Sequence, residues 1–320
     1  MIGKNRRQQL DMIVEELKDG DISAKDFLDT ETYPKEEIEY VSKKMIDYME
    51  GNLDPIDEVG SVRTWGTEKS DHKFSPIEDD HFAIIAGKGG AGKTAFSYFL
   101  AHENAKNGLV LYFSLEMSTD GILTRFARDF AGITKWQWQD KTRIAASQRK
   151  LYHEKKEELQ NNWYLKLIGF NQQPTIDKIF DRILEGASAS KPLLVFIDNL
   201  DLICIEGIND DDKQKVLCEK IKNFCKENKI PIILIHHLRK SQGKDKILTG
   251  DDMRGSGKIR DNIDTLMICG RTPFKEDMTN EEKAIFVVFE DKDRSFGDGG
   301  HHTYYFNKGS FLDGSQPGFQ

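Results

Sequence analysis

The run Gly-Lys-Gly-Gly-Ala-Gly-Lys-Thr at 87–94 constrains this chain more than any other feature, because it satisfies GxxxxGK[ST] at every specified position. Glycines let backbone N–H groups curl around an anion that side chains would obstruct. The loop needs a strand leading in and a helix leading out. Here the apolar run HFAIIA precedes it and the stretch TAFSYFLAHENAKN follows. That helix would aim the positive end of its dipole at the same anion. Gly87, Gly89, Gly90, Ala91, Gly92, Lys93 and Thr94 are the expected phosphate contacts. Lys93 is expected to reach the β and γ phosphates of ATP, and the Thr94 hydroxyl to bind Mg²⁺.

A loop of this kind implies a sheet whose strands alternate with helices, and from His81 onward the sequence reads that way. Apolar strands are expected at Phe82–Ala86, Leu109–Ser114, Leu193–Asp198, Ile230–His236, Thr265–Gly270 and Ile285–Glu290. Amphipathic stretches at about 93–106, 118–130, 142–160, 175–187 and 211–228 separate them. The alternation predicts an α/β fold with a mostly parallel sheet and helices on both faces. Residues 53–80 hold Pro55, Gly60, Gly66 and Pro76 among many charges and read as a linker. Residues 1–52 read as a small helical N-terminal arm. Leu10, Ile13, Val14 and Leu17 form one apolar stripe, and Ile38, Val41, Met45 and Tyr48 another. The arm is either an extension of the main core or a grip on a neighbouring subunit.

The bulk numbers narrow the function classes. No apolar run reaches the ~18–20 residues needed to span a bilayer, and the N-terminus lacks a signal-peptide core, so a cytoplasmic protein is expected. The four cysteines, Cys204, Cys218, Cys225 and Cys269, include no CxxC pair and read as reduced thiols. With 46 basic against 54 acidic residues the net charge is −8, so nucleic-acid binding would require a local basic patch. The segment 239–260 is such a patch. It carries Arg239, Lys240, Lys244, Lys246, Arg254, Lys258 and Arg260, with Gly243, Gly250, Gly255 and Gly257 for a flexible backbone. No aromatic residue lies within it, so phosphate contact without base stacking is the expected mode. By composition alone, a solvated loop is the competing reading.

Two acids complete the candidate chemistry. LLVFID at 193–198 is a buried strand ending in Asp198, the pattern that holds magnesium through water. Glu116 follows the strand LVLYFS, at the sheet edge where ligands bind in open α/β sheets, and is a candidate general base. By spacing alone, a surface glutamate opening the next helix is the stronger reading.

FSLEM after the phosphate loop, then LLVFIDNLDLI, PIILIHHLRK and DDMRGSGKIRDNIDTLMICGR, resemble the ordered motifs of the DnaB-like replicative helicases. That family belongs to superfamily four and has a RecA-like core. DMRGSG and the histidine of the third motif resemble the phage primase-helicases and mitochondrial Twinkle more than bacterial DnaB. The resemblance covers roughly 80–312, which gives an ATPase/helicase domain over 81–320 and no primase domain in the N-terminal part. It implies that Glu116 is the catalytic glutamate and His237 the sensor of the γ-phosphate. Strand alternation sends one of the adjacent His236 and His237 to the opposite face. In DKDRSFGDGG, Arg294 matches an arginine finger supplied to the neighbouring subunit, and Lys292 its basic companion. Arg254, Gly255 and Gly257 match positions that track single-stranded DNA. The family thus implies a homo-oligomeric ring, a hexamer, moving 5′ to 3′ on single-stranded DNA, with a primase or polymerase as a separate partner. The competing readings are a RecA-like recombinase or regulatory DNA-dependent ATPase, and a nucleotide-switched loader.

Overall fold

The computed structural model describes residues 63–205, 210–238, 259–271, 284–294, 300–307 and 310–313. The N-terminal arm and the basic stretch 239–258 lie outside these residues. In chain order the elements are α1 (Glu68–Asp71), β1 (Phe82–Gly87), α2 (Lys93–Asn104), β2 (Val110–Ser114), α3 (Thr119–Phe130), α4 (Lys135–Gln139), α5 (Ala146–Gln160), β3 (Leu165–Gly169), α6 (Ile176–Ala189), β4 (Leu194–Asp198), α7 (Asp210–Asn228), β5 (Ile232–His237), β6 (Thr265–Arg271), β7 (Ile285–Asp293), β8 (His301–Asn307) and β9 (Ser310–Asp313).

All nine strands join one sheet in the order β3-β2-β4-β5-β1-β6-β7-β8-β9. The six from β3 to β6 are parallel, and β7, β8 and β9 extend the sheet antiparallel. The period-2 pattern of a strand buried on both faces divides the core. Ala83 and Ile85 of β1 face a cluster built on α2 and α3, while Phe82, Ile84 and Ala86 face one built on α6 and α7. Helices therefore cover both faces of the mostly parallel sheet, as the alternation required.

The antiparallel extension is tied to the phosphate-loop helix by aromatic packing. Phe96 of α2 lies 5.1 Å from Phe286, 5.2 Å from Tyr304 and 5.2 Å from Phe311, centroid to centroid. These rings are all buried, and truncating a Phe at such a site costs about 3–5 kcal/mol.

The sequence places a linker over 53–80, but its described part, 63–80, is packed into the domain. The compact unit begins at Arg63, not His81. Trp65, Phe74 and Ile77 are buried. Arg63 donates to Leu193 O at 2.7 Å and Ile77 O at 3.0 Å, and pairs with Asp79 at 2.6 Å. Tyr304 donates to Trp65 O at 2.8 Å, and Thr67 donates to Asp313 Oδ1 at 2.6 Å, so the first and last described segments of the unit are clasped. Glycine and charge density suggested a loose segment, whereas three widely spaced apolar side chains and one buried guanidinium hold it down. Among the described residues the cysteines are unbridged, and no helix is long and apolar enough to cross a membrane.

Candidate nucleotide site

The strands β2, β4, β5 and β1 are consecutive in the sheet, and each delivers one piece of the site from its C-terminal end. Ser114 lies beside Asp198 in the register, Asp198 beside Ile235, and Gly87 beside His237. Glu116, Asp198, His237 and the loop after Gly87 consequently meet at one edge. That is where open parallel sheets bind ligands.

The loop glycines do distinct work. Gly90 and Gly92 have φ of 74° and 105°, a region that side-chain-bearing residues rarely enter. A Cβ on Gly87 would stand 2.5 Å from Cys269 O, so no larger residue fits between β1 and β6. The approach to Gly89 and Gly90 is open, with nothing within 4 Å of an added Cβ. Gly92 is the N-cap of α2 and uses no side-chain cap, which leaves the helix's first N–H groups facing the loop. Ala91 is buried beside them.

Lys93 is only 4% exposed, and its Nζ donates to Gly87 O at 2.9 Å and Lys88 O at 2.9 Å. The same Nζ lies 3.0 Å from His237 Nδ1. Burial lowers its pKa, opposed by the nearby carboxylates of Asp198 and Glu116. Asp198 is 3% exposed and its pKa is raised, first by burial, against the stabilising hydroxyls of Thr94 and Tyr112. Tyr112 donates to Asp198 Oδ2 at 3.2 Å and is itself 2.9 Å from Ser97 Oγ. Asp198 Oδ1 is buried with no hydrogen bond of normal geometry. A buried carboxylate oxygen left open beside a threonine hydroxyl at a phosphate loop fits Mg²⁺, which takes one or two protein ligands and completes its shell with phosphate and water.

The two histidines separate as strand alternation demands. His236 is fully buried, 3.8 Å from Asp201. His237 faces the site, with Nε2 3.9 Å from Glu116 Oε2. Between them stands Asn199, 3% exposed, which donates from Nδ2 to Glu116 Oε2 at 3.0 Å and lies 3.2 Å from His237 Nε2. Sequence reading passed over this residue, as it did Tyr112 and Ser97. A lone Asn after an Asp carries no pattern, and its meaning arises only from the cross-strand register.

Arg294 and Lys292 lie elsewhere. β6 pairs antiparallel with β7, so Thr265 stands opposite Asp293, and Thr265 pairs with Ala83 near the start of β1. Arg294 Nη1 is 3.3 Å from Asp264 Oδ1, and Nη2 donates to Asp261 O at 2.6 Å. Asp264 also accepts from Phe82 N at 2.8 Å and pairs with Lys222 at 2.5 Å. Lys292 donates to Arg260 O and to Ile263 O, the latter at 2.8 Å. Burial and then the Arg294 charge lower its pKa. Phe82 and Gly87 are the two ends of β1, about 17 Å apart at ~3.3 Å per residue, so Arg294, tied through Asp264 to Phe82, lies at the end of the strands away from the phosphate loop of its own chain.

A family model for the DnaB-like helicase C-terminal domain matches residues 63–310. The replicative DNA helicase DnaB of Rickettsia bellii is 26% identical over 222 residues, 64% of this chain and 44% of that protein. Its counterpart from Rickettsia conorii is 26% identical over 233 residues, 67% of this chain and 46% of that protein. The chain therefore spans less than half the length of these curated relatives. A solved ATPase domain shares the fold at a TM-score of 0.70 and 19% identity, covering 85% of this chain and 98% of the other. A DnaB-like replicative helicase solved in a study of its interactions with primase does so at 0.71 and 19%, covering 96% and 75%.

Proposed function

Since the chain belongs to the DnaB-like helicase family through the C-terminal domain matched over 63–310, we propose that it is the motor subunit of an ATP-driven DNA helicase that works as a homo-oligomeric ring on single-stranded DNA. One observation carries this reading: the nucleotide-facing residues gather at one edge of the sheet, and Arg294 sits at the opposite edge. A subunit so built cannot bring its own arginine to its own nucleotide, whereas a second copy can. Hydrolysis is then coupled to assembly.

In this reading the loop N–H groups and the Lys93 ammonium hold the ATP phosphates. Lys93 gives up its contact with His237 on doing so, because its three protons are directed at Gly87 O, Lys88 O and His237. Thr94 and Asp198 would hold Mg²⁺, which would supply positive charge against the phosphoryl oxygens. Glu116 takes the proton of the attacking water, and His237 registers the γ-phosphate at the end of β5. The chain continues from His237 directly into the basic stretch with Arg239, Lys240, Lys244, Lys246, Arg254, Gly255 and Gly257. Occupancy of the γ-phosphate site is thereby relayed to the DNA-contacting residues. Arg294 of a neighbouring copy, with Lys292 beside it, stabilises transition-state charge.

The test is strand displacement on forked duplexes with ATP and Mg²⁺. Unwinding that requires a 5′ single-stranded tail supports the reading. ATP turnover stimulated by DNA without displacement would favour a recombinase-like or regulatory ATPase. Nucleotide binding without turnover would favour a switch or loader.

A further inference from the structure

Resting on that reading, we propose that Asn199 is a positioning residue for ATP hydrolysis, its carboxamide donating to the Glu116 carboxylate and holding it beside the His237 imidazole. Asn199 occupies the turn just past β4, between β2 and β5 in the sheet. Oδ1 accepts from Asp201 N at 3.1 Å and Nδ2 donates to Glu116 Oε2 at 3.0 Å, which fixes the orientation of the amide; His237 Nε2 is a neighbour of Nδ2 at 3.2 Å. A flipped amide would set Oδ1 against the Glu116 carboxylate and Nδ2 against the Asp201 N–H, leaving two unfavourable pairs.

Glu116 needs such a partner. Its side chain is 52% exposed beyond the end of β2, and among the described residues Asn199 Nδ2 is the hydrogen-bond donor that reaches it. An exposed glutamate without a partner samples several rotamers, and confining it has an entropic cost. A base displaced by about 1 Å loses on the order of 10²-fold in rate. Asn199 is buried and held from the opposite side, so it can hold Glu116 steady without moving itself. On its other flank it touches His237, whose Nδ1 meets Lys93. One continuous row of side chains, Lys93, His237, Asn199 and Glu116, thus runs from the phosphate loop across β5 and β4 to the end of β2.

The competing role is structural, since Asn199 also shapes its own turn through Oδ1 and through its carbonyl, which accepts from Leu202 N at 3.3 Å. Asn199→Asp separates the two. It keeps the size and the Oδ1 acceptor, and replaces the donor with an oxygen that repels Glu116. The expected result is a folded protein with ATP-analogue affinity within a few-fold of the unaltered protein and kcat for ATP about 10²-fold lower. A second prediction is specific to positioning. Residues acting as a unit are non-additive, so Glu116→Gln combined with Asn199→Asp should turn over no more slowly than Glu116→Gln alone in single-turnover measurements. Unchanged kcat, a loss confined to KM, or a multiplied loss in the double variant would overturn the proposal. If Asn199→Asp fails to fold, the uncharged Asn199→Ser is put through the same two measurements with the same criteria. Absence of ATP turnover in the unaltered protein would instead bring down the helicase reading on which the proposal rests.

Discussion

The parallel part of the sheet and its antiparallel extension carry their candidate site residues to opposite ends of the strands. In the parallel part, four consecutive strands end at the same edge, so residues far apart in sequence meet automatically around the phosphate loop. In the extension, β7 runs the other way and delivers Lys292 and Arg294 to the far edge. Reversing one strand is enough to separate a cation from the anion it would serve. On the proposed reading, the first half forms a site within one chain and the second presents a reagent for another.

The sharpest way to break this contrast is Arg294→Ala. Turnover at saturating ATP should fall by roughly 10³–10⁵-fold, the usual scale for an arginine finger, while nucleotide affinity stays within a few-fold. Near-normal turnover in steady-state assays would mean that the far edge contributes nothing. Glu116→Gln probes the near edge. Loss of a general base should lower kcat by about 10²–10⁴-fold and leave ATP binding and assembly intact. Hydrolysis at the unaltered rate would return Glu116 to the status of a surface residue.

Asp264 joins the two regions, binding Phe82 N of β1, Lys222 of α7 and Arg294. The Lys222 and Asp264 side chains are 9% and 10% exposed, so Asp264→Ala strands a buried ammonium. A loss of about 3–5 kcal/mol in urea unfolding is expected. A loss under 1 kcal/mol would show that the joint is not held there. The smallest effect concerns the stretch that follows β5. Lys244→Ala with Lys246→Ala should weaken single-strand binding equally on all sequences and reduce the salt slope by roughly one unit per lost phosphate contact. Sequence-dependent loss would contradict backbone readout, and unchanged affinity would leave a solvated loop.

What could be read in advance follows the same division. The six strands anticipated from apolar runs are present: β1, β2, β4, β5 and β6 because burial on both faces leaves an uninterrupted hydrophobic signal, and β7 because its exposed positions, Val287 and Phe289, are apolar as well. β3, β8 and β9 escaped notice. β3 is an edge strand with one fully buried residue, Leu165, and β8 has only Tyr304 buried, so neither carries a legible period. The phosphate loop was readable because the motif is local. Asn199 was not, because its contacts come from strands β2 and β5, more than thirty residues away on either side. Position 294 had no chemical signature of its own, and only the resemblance to a family singled it out.

The clasp between Thr67 and Asp313, backed by Tyr304 on Trp65, has an engineering consequence. The first and last described segments of the folded unit lie side by side, so a short peptide joining them could close the backbone into a loop, and new termini could be cut at a distant surface turn. Stringing several copies into one polypeptide is the harder task. Each connector would leave from the place where its own domain started and would have to cross that domain before reaching the next.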